Sequence, residues 1–156
     1  MISKPTVDSH TLLARAHALL VDERDPIANA ANLVALIAQS VSDLNWVGFY
    51  FVRGSELVLG PFAGEPAVAR IAAGRGVCGA AWQQAATLAV DDVDGFAEHI
   101  ACDIASRSEL VVPLIRDGVV FGVLDCDSPV QARFGSAERS LFEQLAALYV
   151  ASSDAP

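Results

Sequence analysis

Three stretches of this sequence hold residue types that can do chemistry: Glu98-His-Ile-Ala-Cys102-Asp103, Gly74-Arg-Gly-Val-Cys78-Gly79 and Gly122-Val-Leu-Asp125-Cys126-Asp127. A cysteine that only fills space usually sits in an apolar run. Cys102 instead stands among acidic residues and is followed by a polar run to Glu109. A polar loop gives a nucleophilic thiolate the access it needs. Asp103 alongside would raise the thiol pKa, so stabilisation of the thiolate has to come from other groups, backbone N–H groups being one candidate. Cys78 falls in the first turn of an expected short helix, where the helix N-terminus favours a thiolate and would suit a resolving thiol. A small residue that lets Gly76 and Gly79 pack closely accounts for the same position.

Asp125 and Asp127 are two apart at the end of an apolar strand and so point to one face. There they can hold an ammonium group or share a proton. Two like charges in a half-buried site raise one pKa and provide a general acid near neutrality; two solvated strand-end carboxylates are the plainer alternative. Cys126, between them, must point to the opposite face. Glu109 opens another strand and adds a third carboxylate, or is an ordinary edge residue. Trp46 and Tyr50, four apart in a strand, share a face as pocket wall or as core. His99 precedes Cys102 by three residues, and nothing in the sequence fixes its orientation. No spacing matches a metal site or a phosphate loop. Gly74-x-Gly76-x-x-Gly79 has the letters of a dinucleotide motif without the βαβ context.

The elements that must position these residues follow from periodicity. A helix is predicted over 9–20 with Ser9 as N-cap, and a second from Pro26 to about 41 with Asp25 as N-cap. Aromatic and β-branched residues 46–52 and 56–62 form a hairpin through Arg53-Gly54-Ser55. Residues 67–73 and 87–91 read as short strands, 76–84 as a short helix and 92–108 as a long loop containing Cys102. Strands 109–115 and 119–127 are joined through Asp117-Gly118, a pair suited to a type I′ turn. Pro113 requires an edge or a break in the ladder. Residues 137–150 form the last helix, capped by Ser136. This is an α+β chain: a central, mainly antiparallel sheet with N- and C-terminal helices packed on it.

Composition narrows the function classes. The 156 residues suit one domain, 1–156, and 53% of them are apolar, with mean hydropathy +0.42, so a packed core is expected. A net charge of −9 and only ten Lys and Arg argue against nucleic acid and anionic membrane as partners. No apolar run approaches the ~20 residues of a membrane span, and Met1-Ile-Ser-Lys-Pro lacks the order of a signal peptide. Three cysteines, an odd number, fit a reducing cytoplasm better than a disulfide framework. Neither cofactor nor metal is expected.

Asn45-Trp-Val-Gly-Phe-Tyr50, Leu59-Gly-Pro-Phe62, Gly74-Arg-Gly-Val-Cys-Gly79, His99-Ile-Ala-Cys-Asp103, Ser106-Arg-Ser-Glu109 and Gly122-Val-Leu-Asp125-x-Asp127-Ser-Pro129 together resemble the free methionine-(R)-sulfoxide reductases, which are single GAF-domain enzymes. The similarity runs from about residue 22 to residue 149. It implies a GAF-like fold and thiol-dependent reduction of free methionine-(R)-sulfoxide. By the same resemblance Cys102 is the catalytic cysteine. Glu109, Asp125 and Asp127 are then the substrate-binding and proton-supplying carboxylates, and Trp46 and Tyr50 the pocket aromatics. The implied chemistry passes through a sulfenic acid on Cys102 and a disulfide that thioredoxin reduces. Similar proteins often carry a recycling cysteine where this chain has Val68. That leaves Cys78 as the internal resolving residue, or an external thiol in its place, and Cys126 without a role. Related proteins also suggest a homodimer. The competing reading is a non-catalytic GAF domain that senses a small molecule, against which stand the absence of an attached output domain and the group of cysteines and carboxylates.

Overall fold

Carboxylate side chains satisfy the N-terminal N–H groups of each long helix. α1 runs Ser9–Leu20, and its N-cap is Asp8, not the expected Ser9. The Asp8 carboxylate has two oxygens to offer, accepting the Thr11 N–H at 3.0 Å and the Thr11 hydroxyl at 2.6 Å. α2 runs Pro26–Ser40. As expected, Asp25 caps it, accepting from the N–H groups of Ile27 and Ala28 at 2.9 Å each, while Pro26 fills the first position, where no N–H is needed. α4 runs Ser136–Ser152, with Gly135 in the cap position assigned above to Ser136. Here Glu138 reaches back to the Gly135 N–H at 3.0 Å. The computed structural model describes residues 7–96 and 105–156.

The strands are β1 Trp46–Arg53, β2 Glu56–Ala63, β3 Arg70–Ala72, β4 Leu88–Val90, β5 Ser108–Arg116 and β6 Val119–Ser128. They form one sheet in the order β3-β2-β1-β6-β5-β4, and every neighbouring pair is antiparallel. A short helix, α3 (Gly76–Gln84), crosses between β3 and β4. Asp117 and Gly118 both have positive φ, 53° and 78°, as the type I′ turn between β5 and β6 requires. Pro113 pairs with Val123 of β6, whereas β4 reaches only to Val111 of β5. The proline therefore lies past the end of the outer strand, where a missing N–H is tolerated.

This sheet has two apolar faces. On one, α1, α2 and α4 bury Leu12, Leu33, Ile37, Phe142 and Leu145 against Phe49, Leu110, Leu124 and Cys126. The other packs Trp46, Tyr50, Val111 and Val123 against Val77, Cys78 and Ala81 of α3. Alternation along β6 thus sends Cys126 into the helical core, away from its two aspartate neighbours, as its position in the strand predicted. Tyr149 of α4 ties the helices together, its hydroxyl donating to the Pro26 carbonyl at 2.9 Å.

Cys126 is fully buried, and burial followed by the nearby Asp125 and Asp127 charges pushes its thiol well above the usual range. It should resist Ellman's reagent in the native protein and react only as the chain unfolds. Rapid native labelling located at Cys126 by peptide mapping would contradict this placement.

Candidate active site

Antiparallel register assembles the site. On the face covered by α3, Trp46 of β1 lies opposite Asp127 of β6, and Asp127 lies opposite Glu109 of β5. The next row on that face is Gly48, Asp125 and Val111; the row after it is Tyr50, Val123 and Pro113. Residues far apart in sequence thereby become lateral neighbours on three central strands. Glu109, Asp125 and Asp127 are respectively 4%, 1% and 3% exposed, so these are not the solvated strand-end carboxylates of the plainer reading.

Glycine at position 48 makes the aromatic wall. A Cβ there would come within 2.5 Å of both the Trp46 ring and Phe62 Cβ. With hydrogen in its place, the indole lies across the strand and stacks on Phe62, with centroids 5.5 Å apart, and on Tyr50, 6.0 Å apart. The polar tips of the two larger rings reach the loop after β2. Trp46 Nε1 donates to the Glu65 carbonyl at 3.1 Å and the Tyr50 hydroxyl to the Val68 carbonyl at 2.8 Å. Ring faces, not polar tips, are what this wall presents.

α3 brings Cys78 onto the carboxylates. Gly76 opens the helix at φ 59°, and Gly79 lies so close to Ala72 and Gly74 that a Cβ would meet the Ala72 carbonyl oxygen at 2.7 Å. This close approach places Cys78 Sγ 4.0 Å from Glu109 Oε1. Burial raises the Cys78 thiol well above its usual pKa, and the charges of Asp125, Glu109 and Asp127 raise it further. These effects outweigh the helix N-terminus, so the resting residue is a thiol. Ile71, Arg75, Gly76, Val77, Cys78, Glu109 and Asp125 enclose a space of about 10 Å³, room for about one water molecule.

Three full negative charges are not stable here. Two carboxylates 4–5 Å apart repel by about 3–4 kcal/mol at an effective dielectric of 20, against ~1.4 kcal/mol for protonation across one pH unit. Glu109 responds most clearly: burial first, then the Asp127 charge, pushes its carboxyl well above the usual range, partly offset by a hydrogen bond with Asp125. The arrangement is a carboxyl that holds its proton more tightly than usual beside two further carboxylates and a thiol.

A larger groove of about 420 Å³ runs between α4 and the β5 edge, lined by Val112, Pro113, Ile115, Ala146 and Val150 among others. Its residues bring neither a cysteine nor paired carboxylates, so it offers no comparable chemistry. Cys102, with His99 and Asp103, lies outside the described residues. The chain on either side of that segment is fixed at the site. Phe96 packs on the α3-side apolar cluster, the Val93 N–H donates to the Arg107 carbonyl at 2.9 Å, and the Arg107 N–H donates to the Ser128 carbonyl, next to Asp127, at 2.7 Å. Arg75, Ile71 and Gly48 join the site without having been assigned a role by sequence reasoning, although Arg75 and Gly48 lie within the motifs Gly74–Gly79 and Asn45–Tyr50.

The raised Glu109 pKa has a consequence for stability. The folded state binds this proton more tightly than the unfolded chain, so stability is full below the ordinary value of 4.5 and declines as pH rises from there toward the folded-state value. Glu109→Gln should therefore raise the melting temperature near neutral pH and flatten its decline with pH. A lower melting temperature for Glu109→Gln at neutral pH, with unchanged pH dependence, would mean that Glu109 is ionised in the fold.

Comparison with known proteins gives the family. The model of the GAF domain matches residues 25–151. The free methionine-R-sulfoxide reductase of Escherichia coli is 44% identical over 131 residues, covering 84% of this chain and 79% of that protein. Two solved structures described as complexes with substrate superpose closely. That of fRMsr of Staphylococcus aureus has a TM-score of 0.91 at 39% identity, covering 97% of this chain and 99% of that one. That of free methionine-R-sulfoxide reductase from Neisseria meningitidis has 0.90 at 39% identity, covering 97% and 95%. With the GAF model spanning the sheet and all but the first helix, and these relatives alike over most of their length, the chain belongs to the free methionine-R-sulfoxide reductase family of GAF-domain proteins.

Proposed function

We propose that this protein reduces free methionine-(R)-sulfoxide to methionine, with Cys102 as nucleophile and Glu109 as proton donor. The observation that carries the reading is the buried trio Glu109, Asp125 and Asp127 on one sheet face, where burial and the Asp127 charge push the Glu109 carboxyl well above its usual range. Asp125 and Asp127 suit the substrate ammonium, and the stacked Trp46 and Tyr50 rings suit the methylene chain that carries its sulfoxide. The amino acid exceeds the space of about 10 Å³ beside Cys78, so its binding moves side chains around that space.

The Cys102 thiolate attacks the sulfoxide sulfur while Glu109 gives its proton to the sulfoxide oxygen. The sulfoxide S–O bond breaks as the hydroxyl passes to the Cys102 sulfur, so methionine leaves as the thioether and Cys102 is left as a sulfenic acid. Glu109 is then a carboxylate 4.0 Å from Cys78 Sγ, placed to accept the proton that makes Cys78 a nucleophile. That thiolate attacks the Cys102 sulfur, and the departing hydroxide takes the proton and leaves as water. The resulting Cys78–Cys102 disulfide requires Cα atoms within roughly 7 Å and is reduced by thioredoxin. Val68 contributes no thiol to this cycle.

Free methionine-(R)-sulfoxide added to the protein with thioredoxin, thioredoxin reductase and NADPH should drive continued NADPH consumption. Binding without turnover would instead make this a sensing domain. Cys102→Ser should abolish turnover, and substantial residual activity would remove Cys102 from the nucleophile role.

Asp125→Asn and Asp127→Asn should each lower kcat/KM by about 10–10²-fold, the range expected when a hydrogen bond to a charged group is lost, with far-UV circular dichroism unchanged. Wild-type parameters in both would refute the assigned roles.

Cys78→Ser should release about one methionine per chain, since attack by Cys102 comes first. It should then stall with thioredoxin and recover in part with dithiothreitol. Undiminished thioredoxin-driven turnover in that variant, or a disulfide involving Cys126, would overturn this recycling scheme.

A further inference from the structure

Donor atoms of two chemical kinds converge beneath the first turn of α3. The Cys78 thiol comes from that helix, the Glu109 carboxylate from β5 and the Asp125 carboxylate from β6, and one ligand atom from each lies within 4.8 Å of the others. Cys78 Sγ and Glu109 Oε1 are 4.0 Å apart, and all three side chains are buried. The space they border, about 10 Å³, suits a single water or a single ion. We propose that Cys78, Glu109 and Asp125 bind a divalent transition-metal ion of borderline softness, with Zn²⁺ the best fit, and that the ion excludes substrate.

The donor set selects the ion. A thiolate with two carboxylates matches Zn²⁺ or Co²⁺. Mg²⁺ requires near-octahedral oxygen ligands and Ca²⁺ six to eight of them, which a site with a sulfur ligand does not supply. Tetrahedral Zn²⁺, with bonds of about 2.3 Å to sulfur and 2.0–2.2 Å to oxygen, sets its donors roughly 3.5 Å apart. The Cys78–Glu109 pair, 4.0 Å apart, would close by roughly half an ångström, and no pair, all being within 4.8 Å, by more than about 1.3 Å. Binding displaces the thiol proton to solvent, and water fills the fourth position. The ion also relieves the repulsion that otherwise keeps a proton in the site. Exclusion of substrate rests on the reading above, in which Asp125 holds the ammonium and Glu109 the sulfoxide oxygen; the metal site itself does not.

Anaerobic titration of the reduced protein with Co²⁺ tests the site. A thiolate-to-cobalt charge-transfer band should grow to one equivalent in the wild type and equally in Cys102→Ser. It should be bleached by Zn²⁺ and unaffected by a hundredfold excess of Mg²⁺. Cys78→Ser should lose the band, and Asp125→Asn, folded by circular dichroism, should weaken Co²⁺ binding at least tenfold. No band in the wild type, a band that survives in Cys78→Ser, or one lost in Cys102→Ser would overturn the site. Free methionine-(R)-sulfoxide should raise the apparent Kd for Co²⁺. Cobalt binding indifferent to substrate, in a protein that turns substrate over, would overturn the exclusion. Cobalt binding in a protein without turnover would leave the metal site standing and remove the functional reading instead.

Discussion

Burying three carboxylates side by side is the constraint around which the rest of this molecule is arranged. Glu109, Asp125 and Asp127 belong to adjacent central strands and are nearly inaccessible. Their burial, and after it the repulsion among them, pushes the Glu109 carboxyl and the Cys78 thiol well above their usual ranges. Such a site is costly to maintain unless the surrounding structure over-determines it. The helical layer supplies that surplus, because α1, α2 and α4 bury a continuous apolar cluster on the opposite face of the same strands.

A division of labour between the two sheet faces follows. The face under α1, α2 and α4 carries the larger apolar cluster, in which Cys126 is buried as packing. The face under α3 mixes aromatic wall, carboxylates and thiol, and has a smaller apolar cluster. α3 has nine residues, short enough for its first turn to lie directly over the carboxylates. The same burial that makes Glu109 a competent acid suppresses Cys78 as a free nucleophile, so proton transfer between the two couples reduction of substrate to renewal of the enzyme in the proposed cycle. The trio of donor atoms that makes this coupling possible is also what a borderline metal ion would seek. In this fold, proton chemistry and metal affinity come from one arrangement of side chains.

Much of the fold was legible because it is written in local periods and caps. Asp25-Pro26 starts a helix by side-chain and backbone geometry that needs nothing distant, and Asp117-Gly118 turns a hairpin because both residues accept positive φ. The errors were equally local. Ser9 and Ser136 are adequate caps, but Asp8 offers a better acceptor one residue earlier, and the Gly135 N–H is satisfied by Glu138 from within the helix. Cap choice depends on which of several neighbouring polar side chains completes its bonds, and letters alone do not rank them.

Period-two alternation along the sequence determined that Asp125 and Asp127 share a face, that Trp46 and Tyr50 share one, and that Cys126 must turn away, since each statement concerns a single strand. Motif similarity added the family and the residues to watch. Tertiary structure alone decided that those faces are the same face. Trp46, Asp127 and Glu109 stand in one row because β6 pairs with both β1 and β5, a pairing between segments with more than fifty residues between β1 and β5. Only packing decided that Cys78 lies against Glu109, that Gly48 is where the indole crosses, and that Cys78, Glu109 and Asp125 form a donor cluster with no sequence spacing to announce it. The physical reason is the range of the interactions. Alternation, capping and turn conformation act within a few residues, whereas burial and the electrostatics of a crowded site depend on which distant strands become neighbours.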